Sequence, residues 1–381
     1  MSACSAEGGL AADGRVPHAP GARRTLLVFD HFLKYSTGLG SGLRELGCPL
    51  AMLGRDHDNE FGAEPGAARA WVAQELGSGV RFERLPGRVR DPATHLTVYR
   101  ARRFVRRFSP DAVHLQDSVV NDVRLIAASG AARRAFALTV HDPTPRAGNT
   151  VRSHWKWRLR SALIRHARVV FVHAEVLRDE LLSIERPGGA VVVVPHGVEP
   201  APLPLPPTPS LLFFGRLSYY KGLDTLLDAM PKVWHRVPEA RLTVAGEGDL
   251  PEHPLLHDAR VAVRHEHIPE ADIPDLFAGA TSVVLPYRHA SQSGVGSLAK
   301  RFGRPLVATA VGGLPELVPP GTGRLVPPED PSALAHALVE LLEAPELVAE
   351  MARAAAASAV DEVSWRRVAT LTLQAYERYL F

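Results

Sequence analysis

The sequence predicts an α/β fold of two facing, Rossmann-like lobes with a cleft between them, and three observations carry that prediction. Short apolar runs alternate with amphipathic stretches along the chain after residue 22. Many of those runs are apolar at every position, the pattern of parallel strands buried on both faces. The alternation is broken once, by VEPAPLPLPPTP at 198–209, whose six prolines can neither continue a helix nor sit in a central strand. That segment reads as a stiff linker, and a length of 381 residues exceeds what a single core usually supports.

The elements follow in order. Residues 1–22 are rich in Ala, Gly and Pro and lack the apolar core of a leader, so a disordered tail is expected. In the first lobe, 23–197, strands are predicted at 25–29, 48–53, 80–85, 111–116, 136–140, 168–172 and 190–194. Helices are predicted at 39–46, 95–108, 118–129, 153–166 and 174–183. The second lobe, 210–362, has strands at 211–214, 241–245, 260–264, 282–286, 305–309 and 323–327. Its best-defined helix follows Gly222, with Leu223, Leu226, Leu227, Met230, Val233, Trp234 and Val237 at helical spacing. Helices at 330–343 and 345–358 come next, and a C-terminal helix at 363–380 is expected to cross back onto the first lobe.

Formal charge is +3, unevenly spread: residues 1–200 hold 28 Lys and Arg against 20 Asp and Glu, residues 201–381 hold 16 against 21. The basic first half points to anionic partners, a membrane surface or a phosphorylated acceptor. Two cysteines, Cys4 and Cys48, build neither a disulfide framework nor a metal knot and fit a reducing compartment. No apolar run approaches the roughly 18 residues of a membrane span. A cytoplasmic protein is expected, with peripheral attachment to the inner membrane face as a second possibility.

The most informative stretch is LLFFGRLSYYKG (211–222). A buried strand runs into Gly215, Arg216 and Lys221 flank a short loop, and a helix begins. First-turn N–H groups and the positive end of the helix dipole favour phosphate; Arg216 adds a fork and Lys221 a point charge. A second cradle is predicted at the loop SQSG (291–294), where a helix starts near Gly294 and the Ser293 hydroxyl adds a donor. The two cradles belong to one sheet and are expected to converge on one diphosphate. Beyond the next strand lie Gly312, Gly313 and Glu316.

Other motifs leave alternatives open. FDHFLKYSTGLGSGL (29–43) reads as a glycine loop whose Gly38, Gly40 and Gly42 bring backbone close to a ligand or to the opposite lobe. His141 follows a buried strand, either as a satisfied structural histidine or as a group for acceptor binding or proton handling. RSHWKWRLRSALIRHAR (152–168) mixes basic residues with Trp155 and Trp157, as a helix lying on anionic lipid or an ordinary surface helix would. Asp56, His57 and Asp58 form Asp-x-Asp in a charged loop with nothing else to support a metal, and His253, His257, His265 and His267 lack a ligand set for zinc.

Taken together, VVVVPHGV (191–198), LLFFGRLSYYKG, LTVAGEGDL (242–250) and PLVATAVGGLPELV (305–318) resemble the family 4 retaining glycosyltransferases, over nearly the whole chain after the tail. The resemblance implies the two-domain architecture called GT-B, a nucleotide-diphosphate sugar as donor and a hydroxyl acceptor on a glycan, glycolipid or small-molecule glycoside. It implies that Arg216 and Lys221 hold the donor diphosphate and that His141 lies at the reacting sugar. One departure is plain: the family's two glutamates in EGFGxxxxE fall on Ala290 and Leu298. SQSG looks like a variant loop, with Gln292, Ser293, Gly294 and Val295 on the phosphates. His267, Ile268 and Glu316 are expected on the nucleoside side. No metal, other cofactor or nucleic acid is expected. The competing readings are a non-catalytic sugar-nucleotide binding protein, a nucleotide-sugar epimerase and, last, a dinucleotide oxidoreductase.

Overall fold

A computed structural model describes residues 23–55, 67–77, 79–85, 94–144, 154–290 and 293–381. The expected tail, the Asp56–Asp58 motif and Gln292 lie outside them.

The first lobe is a parallel sheet of β1 (Thr25–Phe29), β2 (Leu50–Arg55), β3 (Arg81–Leu85), β4 (Ala112–Gln116), β5 (Ala137–Thr139), β6 (Val169–Val172) and β7 (Ala190–Val193), ordered β3-β2-β1-β4-β5-β6-β7. The chain winds outward from β1 in one direction and returns to β4 to wind in the other. Right-handed crossovers then place α1 (Leu33–Glu45) and α2 (Ala67–Leu76) on one face. The opposite face carries α3 (Thr94–Phe108), α4 (Val123–Ser129), α5 (His154–His166) and α6 (Glu175–Ile184). Two separate apolar clusters fill these faces, because alternate residues of each strand point to opposite sides: Leu26 and Val28 to one, Leu27 and Phe29 to the other.

The second lobe repeats the plan with β8 (Ser210–Phe214), β9 (Arg241–Ala245), β10 (Val261–Arg264), β11 (Ser282–Leu285), β12 (Leu306–Thr309) and β13 (Gly323–Val326), ordered β10-β9-β8-β11-β12-β13. Its helices are α7 (Leu223–Arg236), α8 (Ile273–Ala278), α9 (Gly294–Arg301), α10 (Leu314–Leu317), α11 (Pro331–Leu342) and α12 (Pro345–Asp361). The predicted helix after Gly222 is α7, which buries the stripe from Leu223 to Trp234 against α11 and the sheet.

The two places where the chain passes between lobes are bonded to each other. Val198 N donates to the Val363 carbonyl at 2.9 Å, and Trp365 N donates to the Val198 carbonyl at 3.1 Å. From there α13 (Trp365–Tyr379) packs on α1 and reaches the first sheet, where the Tyr376 hydroxyl lies 2.6 Å from His114 Nδ1.

This packing corrects the reading of the glycines. Gly38, Gly40 and Gly42 sit inside α1, which begins at Leu33, and do not form a cleft loop. A Cβ at Gly38 would collide with the Trp365 indole, and one at Gly42 with the Trp365 carbonyl oxygen. A Cβ at Gly40 would lie 2.8 Å from Leu50 Cδ2. The glycines let α1 approach α13 and β2 more closely than side chains allow, so the nearby group is the returning helix, not a ligand.

Candidate functional site: two facing strand-end clusters

In open α/β sheets ligands bind beyond the carboxyl ends of the strands where the winding reverses, which here means between β1 and β4 and between β8 and β11. Both predicted phosphate cradles flank the second of these points.

At the end of β8, Gly215 takes a φ of 96°, in the left-handed region that favours glycine. A Cβ there would lie 2.9 Å from Lys221 Nζ and 3.1 Å from Val295 Cγ2. The ammonium from the first loop and the first turn of α9 thus meet over Gly215. Lys221 is buried, and its ammonium stands 5.4 Å from the centre of the Tyr287 ring. Arg216 is exposed and has no ion-pair partner among the described residues. Ser293 is the N-cap of α9, its oxygen accepting from Gly296 N at 3.1 Å and lying 3.4 Å from the Tyr287 hydroxyl. The N–H groups of Gly294 and Val295 belong to the first turn, which has no partners within the helix.

Arg288 holds this arrangement. Its backbone N donates to the Tyr220 carbonyl at 2.7 Å, and Nη1 donates to the Tyr219 carbonyl at 2.7 Å. The guanidinium also forks onto Asp224 at 2.9 and 2.8 Å and reaches Glu329 at 2.9 Å. The Asp224 carboxylate keeps Arg288 charged well above its ordinary range. Lys221 therefore sits on a turn pinned from β11, a constraint that the isolated motif did not reveal.

Across the cleft, His141 follows β5 as predicted and is buried. Its Nε2 faces the Gln116 side-chain amide at 2.8 Å and its Nδ1 faces His173 Nε2 at 3.1 Å. His173 Nδ1 donates to the Val194 carbonyl at 3.0 Å, and burial pushes the His173 pKa down to about 3. A neutral His173 that donates through Nδ1 must accept through Nε2, so His141 donates its Nδ1 proton to it. Phe32, with φ 69°, stacks on the His141 ring at 3.7 Å. His173 escaped the sequence reading, yet it follows β6 as His141 follows β5.

The nucleoside-side expectations fare differently. His267 is exposed, 3.8 Å from Glu247, whereas Ile268 is buried in the second-lobe core. The Glu316 carboxylate is turned to the opposite lobe, where it accepts from Glu175 N at 3.0 Å and Val176 N at 3.3 Å at the start of α6. It is an interdomain helix cap in this arrangement, as the charge preference of a helix N-terminus favours. Beside it lies a cavity of 180 Å³ lined by His173, His196, Ser297, Lys300 and Glu362. Leu298 is partly buried against the second core, and the Ala290 carbonyl nests on Gly312.

Residues 34–201 match the family model "Glycosyltransferase Family 4", and residues 208–344 match "Glycosyl transferases group 1". The chain has the two-domain GT-B architecture, with one glycosyltransferase family model matching each lobe. Among curated proteins, the glycogen synthase of Mycobacterium tuberculosis is 32% identical over 229 residues, 57% of this chain and 55% of that protein. The D-inositol 3-phosphate glycosyltransferase of Streptomyces griseus is 34% identical over 180 residues, 43% of this chain and 38% of that one. The matches thus span about half the length of these relatives. The fold is that of a sucrose-phosphate synthase from Thermosynechococcus elongatus, with TM-score 0.69 at 19% identity over 93% of this chain and 99% of the other. It is also that of Anabaena HepE, solved with UDP and glucose, with TM-score 0.67, 19% identity and the same coverage. No helix among the described residues is long and apolar enough to cross a membrane.

Proposed function

We propose that the chain transfers a hexose from a nucleotide-diphosphate sugar to an acceptor hydroxyl with retention at the anomeric carbon. The observation that carries this reading is the meeting of the buried Lys221 ammonium with the N-terminus of α9 at Gly215. When the glycosidic C–O bond breaks, its electron pair goes to the diphosphate. Lys221, the exposed Arg216 and the N–H groups of Gly294 and Val295 stabilise that charge, with Gln292 and Ser293 completing the loop. No carboxylate occupies the position of a nucleophile: Ala290 and Leu298 stand where the family's glutamates fall. Front-face attack fits these residues, with the new C–O bond forming on the side the diphosphate leaves and the acceptor proton passing to the leaving phosphate. The reading needs no metal.

His141 belongs at the reacting sugar in this scheme, held in place by His173 and Gln116. The donor rests on the second lobe and the acceptor on the more basic first lobe. Incubation with a panel of nucleotide-diphosphate hexoses and simple glycoside acceptors tests it, with the anomeric configuration of the product read by NMR. Transfer with the donor's configuration kept supports the reading; inversion overturns the mechanism. Tight nucleotide binding with no turnover would instead favour a binding protein, a reading that the apolar Ala290 and Leu298 sites support.

A further inference from the structure

In the basic helix α5, two of the basic side chains are occupied internally. Arg160 is buried, pairs with Asp117 at 3.3 Å and donates to the carbonyls of Pro143 and Asp142, while Lys156 donates to Asn121. The larger unpaired charge lies on α3. Its sequence, THLTVYRARRFVRRF, contains no acidic residue. It buries only Ala101, Val105 and Phe108 fully. Arg100, Arg103, Arg106 and Arg107 point outward, and none has an ion-pair partner among the described residues. The nearby acids do not neutralise them, since Asp122 is paired with Arg124 and Asp111 with Arg24.

Apolar side chains share this face. Leu96 is 51% exposed and Tyr99 60%, one turn before the arginines, with the exposed Val123 of α4 alongside. A groove of 540 Å³ between α3 and α4 is lined by Val98, Tyr99, Arg102, Arg103, Arg106 and Val123. Helices of a parallel α/β lobe run opposite to the strands, so Leu96 and Tyr99 stand at the strand-end side of the lobe, where the cleft opens.

We propose that the outer face of α3, with Leu96 and Tyr99 inserted and Arg100, Arg103, Arg106 and Arg107 at the headgroups, docks this chain on an anionic lipid bilayer. The charges alone would suit any polyanion. A bilayer is the partner that also takes up two protruding apolar side chains next to a row of guanidiniums, since it offers negative charge and apolar depth within one turn of each other. The inference stands independently of the catalytic chemistry.

Cosedimentation of the full chain with phosphatidylcholine vesicles, with and without phosphatidylglycerol, tests it. The chain is expected to pellet with the anionic vesicles only. Replacing Arg103, Arg106 and Arg107 together by Gln should weaken partitioning about fivefold per residue, on the order of a hundredfold in all. Leu96→Ser with Tyr99→Ser should weaken it further and raise its sensitivity to salt. Unfolding midpoints of these surface variants should match the parent. Equal partitioning to neutral and anionic vesicles overturns the proposal, as does an unchanged triple variant. If the Leu96/Tyr99 variant binds like the parent and short duplex DNA competes, the face is a polyanion site and the bilayer is wrong. If Trp155→Ser carries the loss instead, the docking surface belongs to α5.

Discussion

Lys221→Met separates a phosphate-binding ammonium from a structural one. Methionine matches the length of the lysine and fills the space beside Gly215 and the Tyr287 ring while removing the charge. Two unit charges about 4 Å apart attract by ~1 kcal/mol in water and ~4 kcal/mol at an effective dielectric near 20. Lys221 is only 6% exposed, which places it toward the second value. After the desolvation of both partners is subtracted, a charge-assisted contact contributes about 1.5–3 kcal/mol, so kcat/KM should fall roughly ten- to hundredfold. The exposed Arg216 is better screened, and Arg216→Ala should cost about 1 kcal/mol. Donor-dependent release of nucleoside diphosphate measures the rate without knowledge of the acceptor, and thermal unfolding measures stability. A Lys221→Met protein within twofold of the parent rate would refute the argument.

Three further outcomes follow from the packing. Gly42→Ala forces a Cβ into the Trp365 backbone and should destabilise the first lobe by about 1–3 kcal/mol, whereas Gly40→Ala meets the ends of the Leu50 and Leu76 side chains and should cost less; denaturant titration ranks them. Glu316→Ala removes the cap from α6 and should widen the ensemble of lobe arrangements, seen as a larger radius of gyration in solution scattering. An unchanged radius with a selective loss of nucleoside affinity would return Glu316 to the nucleoside side. Burial holds His114 and His173 at pKa values of about 3, below the unfolded value near 6.5, so the unfolded chain binds more protons between those limits. Stability is therefore complete above about pH 6.5 and lost as pH falls, by up to about 1.4 kcal/mol per unit for each histidine. His114→Asn should flatten that slope in urea titrations, and an unchanged slope would contradict it.

What the sequence makes legible follows from local physics. Strands such as LLVF and VVFV are legible because a strand buried on both faces must be apolar throughout, and their ends locate the loops that carry Lys221 and His141. The α1 glycines mislead because Gly is a poor helix former and usually marks a loop, whereas here the Trp365 backbone and ring, more than 300 residues away in sequence, require its lack of a side chain. The helix α2 escapes because AARAWVAQEL shows no clear apolar stripe. Glu316 stands in a family-like motif, but its destination is fixed by α6 of the other lobe, which no local pattern encodes. Arg288 is likewise one arginine among many until β11 sets it against the turn at Tyr219 and Tyr220.

The account rests most directly on recognition of a diphosphate, and calorimetric titration addresses that alone. The unmodified chain should bind a nucleoside diphosphate on the order of a hundredfold more tightly than the same nucleoside, with most of the difference gone in Lys221→Met. Equal affinity for nucleoside and nucleoside diphosphate, or a Lys221→Met protein that keeps the full difference, would contradict it.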